Sequence, residues 1–214
     1  SVIIQVGHIE RLNPALLALK PYKIKPKFIE IQRLAPYTVR GTDVPVVLDK
    51  MIHDIDILLS LVNSKVDSVQ ATGISIITNS LDIAHARIKF KNGSVASLMS
   101  SRIAQTDVRK IKVFQKDLYS TIDLLKGLTE IYTIEKKKYL KSKILDSTTF
   151  DRNGEKRYIT YMKPKIKNHD ALQLELINFI DSIRGKGKPI VDGKAGRDAL
   201  EVALEIQKMI KRGF

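Results

Sequence analysis

The sequence contains no cysteine and no tryptophan. Without thiols there is no disulfide framework, no thiolate nucleophile and no cysteine-based metal site. Aromatic residues make up only 6%, which weighs against single-stranded nucleic-acid binding, where bases stack on aromatic side chains. No apolar run approaches the ~20 residues that a membrane-spanning helix needs. The first residues lack the pattern of a secretory signal. A cytoplasmic, non-membrane protein is therefore expected. Also missing is the G-x-G-x-x-G loop that cradles a dinucleotide pyrophosphate. Gly185-Lys186-Gly187 and Gly193-Lys194-Ala195-Gly196 do not have its context, and the second reads as a helix start with small residues for close packing.

What is present is a chain of 214 residues with 43% hydrophobic content, enough for a sizeable core. The formal charge is +14, from 37 basic and 23 acidic side chains. Much of the excess lies in Glu135–Lys143 and Glu155–Lys167, where lysine alternates with apolar residues as on half-exposed strands. A solvated lysine-rich surface accounts for this most simply. A nucleic-acid partner or an anionic small substrate are the other readings.

The pattern along the chain predicts an α+β fold, one large, open, mainly antiparallel sheet with helices on one face. Val2–Val6 reads as a buried strand, the end of a domain whose body is not in these residues. Asn13 and Pro14 open a short helix over Ala15–Lys20. Lys27–Leu34 alternates as a strand, with Ile29, Ile31 and Arg33 on one side. Asp43–Val62 has helical spacing, with Thr42 or Asp43 as cap. Strands follow over Val66–Ile77, Ile83–Phe90, Ser94–Ser101, Lys110–Gln115, Leu118–Leu125, Glu130–Glu135 and Arg157–Met162. Lys91-Asn92-Gly93, Lys116-Asp117 and Asp151–Glu155 are the turns. Two helices close the chain. Ala171–Ile183 follows Asp170, with Leu172, Leu176, Phe179, Ile180 and Ile183 as its stripe. Ala195–Ile210 carries Leu200, Ala203, Leu204, Gln207 and Ile210 on one face.

Chemistry concentrates in Asp49-Lys50-Met51-Ile52-His53-Asp54-Ile55-Asp56. Four residues apart on a helix, Asp49 and His53 share a face, with Asp56 close by. A carboxylate beside an imidazole can orient it and raise its basicity, as a general base requires. The plainer alternative is a solvated pair. A metal site of Asp49, His53 and Asp56 with His8 or His85 is a weaker alternative, because the helix offers no second histidine. Arg33 and Arg40 suit an anionic substrate, since guanidinium grips carboxylate and phosphate bidentately. Pairing with Glu30 or Asp43 is the competing structural role. Arg11 belongs to the same basic cluster.

Several segments together resemble the glucose–fructose oxidoreductase/inositol dehydrogenase (Gfo/Idh/MocA) family. They are Val6 through Pro14 (Val-Gly-His-Ile-Glu-Arg-Leu-Asn-Pro), Arg33–Pro36 with Arg40–Asp43, Val46–Asp56, Lys91–Ala96, and Lys188–Gly193 with Ala199–Ala203. The resemblance implies a two-domain enzyme that uses NAD or NADP, bound mainly by an N-terminal Rossmann domain. Residues 1–13 would be the end of that domain. Residues 14–214 would be a substrate-binding domain that forms homo-oligomers through its open sheet. The family's Asp-x-x-x-His pair falls on Asp49 and His53, making His53 the acid/base and Asp49 its or the substrate's orienting group. Arg11, Arg33 and Arg40 would surround the substrate. The Glu-Lys-Pro segment and the dinucleotide fingerprint are absent from these residues, so the chain alone is expected to be incomplete as an enzyme. The form of the motifs is most similar to members that oxidise the 3-hydroxyl of UDP-linked N-acetylated sugars. The alternative is a non-catalytic sugar-binding or oligomerisation scaffold.

Overall fold

A computed structural model describes residues 2–136, 146–166 and 169–213. Most of the expected lysine-rich run Glu135–Lys143, and Lys167, lie outside the described residues. Nine strands form one sheet: β1 (Phe28–Leu34), β2 (Val66–Ile74), β3 (Ile83–Phe90), β4 (Val95–Ser101), β5 (Val108–Gln115), β6 (Leu118–Asp123), β7 (Leu128–Glu135), β8 (Asp146–Arg152) and β9 (Glu155–Met162). Their order is β2-β3-β4-β1-β5-β6-β7-β9-β8. All neighbours are antiparallel except β1 and β4. That one parallel pair needs a long crossover, which includes the helix of residues 52–62 and the β2–β3 hairpin.

The tight turns follow their sequences. Gly93 (φ +83°) closes β3–β4 and Asp117 (φ +61°) closes β5–β6. Asn153 and Gly154 (φ +56° and +75°) give the mirror-image turn that matches strand twist between β8 and β9. The strand β8 itself was not expected. Asp-Ser-Thr-Thr-Phe-Asp-Arg has no apolar alternation, because β8 is an edge strand with little to bury.

One sheet face carries the helices α1 (Pro14–Leu17), α2 (Ile52–Val62) and α4 (Gly193–Arg212); α3 (Ala171–Ile183) lies against the 3₁₀ turn Ile9–Leu12. Inward residues of the sheet (Ile29, Ile31, Ile88, Leu98, Ile111, Ile122) meet Ile55 and Leu58 of α2 and Val202 and Ile206 of α4. Each such side chain contributes about 1.5–3 kcal/mol when removed from water.

Among the described residues Val2–Val6 is an extended segment held by Val6 N–H to Val191 O (2.9 Å) and a single bridge, Gln5 to Asp192, with Val2 and Ile4 exposed. Two expectations need correction. The helix expected from Asp43 begins later: the first helical bond is Asp49 N–H to Pro45 O (3.0 Å). Gly41 (φ +77°) and Pro45 break the pattern before it, so neither Thr42 nor Asp43 caps it. The buried stripe of α4 is Ala199, Val202, Ala203, Ile206 and Ile210; Leu200 and Leu204 are exposed. It is turned one residue, about 100°, because the small side chains Ala199 and Ala203 allow the close approach. The stripe of α3 is largely uncovered, with Leu172, Leu176, Ile180 and Ile183 all exposed. Close packing at the start of α4 does hold: a Cβ on Gly196 would lie 2.6 Å from Val6 Cγ2.

Candidate functional site

The site forms where the helix-covered face of the sheet ends. In β1, Ile29 and Ile31 fill the first inward positions and Arg33 takes the third. Its neighbour across β5 is Arg109. Two arginines side by side would repel, but Glu10 from the 3₁₀ turn lies between them. Its Oε1 accepts from Arg109 Nη1 (2.8 Å) and Arg33 Nη1 (3.4 Å), and Asn13 Nδ2 donates to its Oε2 (3.0 Å). Burial alone would raise the Glu10 carboxyl, but Arg33, Asn13 and Arg109 outweigh it and hold it below the usual carboxylate range.

Arg33 also donates from Nε and Nη2 to Asp54 (2.9 and 2.8 Å) in a bidentate pair that is almost wholly buried. Burial disfavours its charge, yet Asp54 and Glu10 more than compensate, and Arg33 stays protonated. Two residues along α2, Asp56 makes the same kind of pair with Arg11 (2.8 and 2.7 Å). The turn Ile9–Leu12, α2 and β1 are thereby locked together by two arginine–carboxylate forks. These geometries are directional as well as strong.

His53 stands on α2 next to Asp54 and above this network. Its Nδ1 lies 3.0 Å from Nδ1 of His8, and the two rings meet edge to face with centroids 5.0 Å apart. Burial first, then the positive charge of Arg33 and the neighbouring His8, lower the His53 pKa to about 4, against a weaker pull from Glu10 and Asp49. Burial also lowers His8. His53 is thus a neutral imidazole at pH 7, able to accept a proton. Among the described residues, its Nε2 makes no hydrogen bond.

Asp49 lies within Val47–Met51, a π-helical turn in which Ile52 N–H reaches back to Val47 O. π-bulges of this kind recur at functional sites. The Asp49 carboxylate faces Lys50 Nζ (3.4 Å) and the backbone of Gly41, where a Cβ would come within 3.2 Å of it. The loop bearing Gly41 is held by Arg102, which donates to Gly41 O (2.9 Å) and Val44 O. Behind it, buried Asp82 accepts N–H bonds from Ile76, Ile77 and Thr78 (2.7, 2.7 and 3.0 Å) and the Thr78 hydroxyl (2.7 Å). Burial pushes Asp82 up, but these bonds prevail and hold its pKa down to about 2.

Of the residues singled out in the sequence, His53 and Asp49 are half-buried, and exposed Arg40 sits next to Gly41 on the loop. Arg11 and Arg33 have their forks committed inside the protein, to Asp56 and to Asp54 with Glu10, rather than to Asp43 or Glu30. His85 lies on the open sheet face against Ser97 Oγ (2.9 Å), far in the fold from His53. His8, Glu10, Asp54 and Arg109 were not foreseen as parts of one network. Only the invariable pairing of buried charge could have flagged Asp54, since a carboxylate among apolar helix positions needs a partner.

Residues 35–116 match the family model described as the GFO/IDH/MocA C-terminal domain. The chain is 29% identical to the UDP-N-acetylglucosamine 3-dehydrogenase of Acidithiobacillus ferrooxidans (strain ATCC 23270), over 98% of this chain and 63% of that protein. A solved structure of that dehydrogenase, GnnA, superposes with a TM-score of 0.84 at 29% identity, covering 99% of this chain and 63% of the other. The dehydrogenase MviM of Clostridium difficile shares the fold at a TM-score of 0.71 and 18% identity, covering 97% of this chain and 62% of its own. The chain thus spans slightly under two thirds of the length of these relatives.

Proposed function

We propose that this chain, whose residues 35–116 match the GFO/IDH/MocA C-terminal domain model, is the substrate-binding part of a sugar dehydrogenase that oxidises a ring hydroxyl to a ketone. A UDP-linked N-acetylated sugar is the proposed substrate, by its likeness to the Acidithiobacillus enzyme. The observation that carries the reading is His53: a half-buried imidazole, neutral at pH 7, with Nε2 free and a rigid buried ion network beneath it.

In this reading His53 Nε2 accepts the hydroxyl proton as the C–H bond gives up hydride, and Asp49 orients the sugar at the rim. Arg40 meets the anionic diphosphate. Arg11 and Arg33 serve the site from beneath by fixing Asp56 and Asp54, and with them α2. The residues here do not make a dinucleotide site: they have no glycine-rich phosphate loop, and their sheet is almost wholly antiparallel. NAD or NADP would be held mainly by a separate dinucleotide-binding domain, and when bound it supplies the hydride acceptor. The exposed stripe of α3, with exposed Val2 and Ile4, is an apolar surface suited to cover by that domain. Residues 1–13 belong with that domain in this scheme and 14–214 form the substrate domain. The bare sheet face, with its row of stacked rings Phe28, Phe114, Tyr119, Tyr132 and Tyr161, is the proposed homo-oligomer contact.

The test is a panel of UDP-sugars and free sugars offered to the full-length protein with NAD⁺ or NADP⁺, following formation of the reduced nicotinamide. The reading expects turnover with a UDP-N-acetylhexosamine. No reduction with any sugar of the panel would refute it and favour the scaffold alternative.

A further inference from the structure

The contact between His8 and His53 carries a further inference, which rests on the dehydrogenase reading. Two neutral imidazoles whose Nδ1 atoms lie 3.0 Å apart can form a hydrogen bond in only two ways. One ring must bring the proton and the other a lone pair. If His8 donates, His53 carries its own proton on Nε2 and cannot accept another there. If His53 donates, its Nε2 keeps a lone pair that can take up a proton. A base for a sugar hydroxyl must be the second form.

We propose that His8 is a positioning residue that accepts the Nδ1 proton of His53 and so fixes His53 as the tautomer with a basic Nε2. His8 is held in place by its own segment. His8 is 6% exposed and comes from the segment that Arg11 and Glu10 clamp to α2 and β1. Its ring is therefore set independently of the substrate. When His53 takes up a proton at Nε2, its Nδ1–H becomes a charge-assisted donor to His8, a stronger bond than before. The stabilisation thus grows as charge develops, which is the condition for accelerating the step. A carboxylate in the place of His8 would do the same with greater force but would also raise the His53 pKa. A neutral imidazole fixes the tautomer and leaves the base unprotonated at pH 7.

The tautomer can be read directly. In full-length protein labelled with ¹⁵N-histidine, long-range ¹H–¹⁵N correlation distinguishes a protonated Nδ1 from a protonated Nε2, and His53→Gln assigns the signals. His53 protonated at Nδ1 is expected; a proton on Nε2 overturns the proposal. The kinetic partner uses two variants. His8→Phe keeps a ring but removes the acceptor, and should lower kcat about 100-fold, within the span of a general base's contribution, with KM for the sugar changed less than about threefold. His8→Asn can offer an amide oxygen in place of Nδ1 and should recover at least about tenfold of the loss. Unchanged kcat in His8→Phe also overturns the proposal. Failure of the unaltered protein to oxidise any sugar is a separate outcome, seen before any variant is made, and it strikes the dehydrogenase reading rather than the tautomer, which the spectrum reports independently.

Discussion

At the scale of single residues, the site is built from charges that the protein has had to take out of water. Asp54 is 2% exposed and its only ionic partner among the described residues is Arg33. Removing one member of such a pair strands the other. Arg33→Met should therefore destabilise the protein by about 3–5 kcal/mol in denaturant unfolding; a loss under 1 kcal/mol would mean that Asp54 is not confined as described. His53 gives a pH prediction. Its folded value of about 4 lies below the ~6.5 of a free imidazole, so between these values the unfolded chain binds the extra proton. Stability should rise with pH across that window and be lost as pH falls from ~6.5 towards 4. The acid limb of kcat/KM should correspondingly lie below pH 6, and a limb near 6.5–7 would contradict the buried setting. Asp82 works in a lower range. With its folded pKa at about 2 and an unfolded value near 3.9, its contribution is complete above ~4 and fades as pH falls towards 2. Asp82→Asn should flatten acid unfolding over that range, and an unaltered acid titration would count against the hydrogen-bonded carboxylate.

At the scale of elements, most of the strands were legible because alternation and Asn-Gly turns report directly on a sheet with one covered face. β1, β3 and β4 fall within a residue of their expected bounds. The failures have physical causes. β8 buries little and so carries no alternation. The α3 stripe was legible, but a stripe says only that a surface wants cover, not what covers it. Helical spacing over Asp49–His53 is legible, but the π-helical turn at Val47–Met51 is not; nothing in periodicity separates one inserted residue from a regular turn. His8 enters the sequence reading only as a possible metal ligand and not as a hydrogen-bond partner of His53, because their contact spans 45 residues of sequence. The loop at Gly41 supplies the prediction proper to this scale. With φ +77° and the Asp49 carboxylate 3.2 Å from where a Cβ would stand, Gly41→Ala should shift the loop and Asp49 together. KM for the sugar should rise more than kcat falls; a variant kinetically identical to the parent would remove Asp49 from substrate contact.

At the scale of the whole molecule, among the described residues the helices and ion forks cover one sheet face and leave the other bare. That face carries a continuous stack of rings across β1, β5, β6, β7 and β9, with centroid spacings of 4.8–5.6 Å. If two copies meet there, Tyr132→Glu should lower the sedimentation mass of the full-length protein to that of a smaller assembly while circular dichroism stays the same; an unchanged mass would place the contact elsewhere. The exposed apolar side of α3 is, in the proposed scheme, the surface that a dinucleotide-binding domain would cover. No described helix is long and apolar enough to cross a membrane.

The central claim is that His53 takes the sugar's proton, and a single-turnover comparison tests it most directly. Full-length protein and its His53→Ala variant are each loaded with the UDP-N-acetylhexosamine and NAD⁺ or NADP⁺ at pH 7, and the first appearance of reduced nicotinamide is timed. The account predicts that the variant binds the sugar with similar affinity, keeps its fold, and transfers hydride at least about 100-fold more slowly. Transfer at the parent's rate would contradict it.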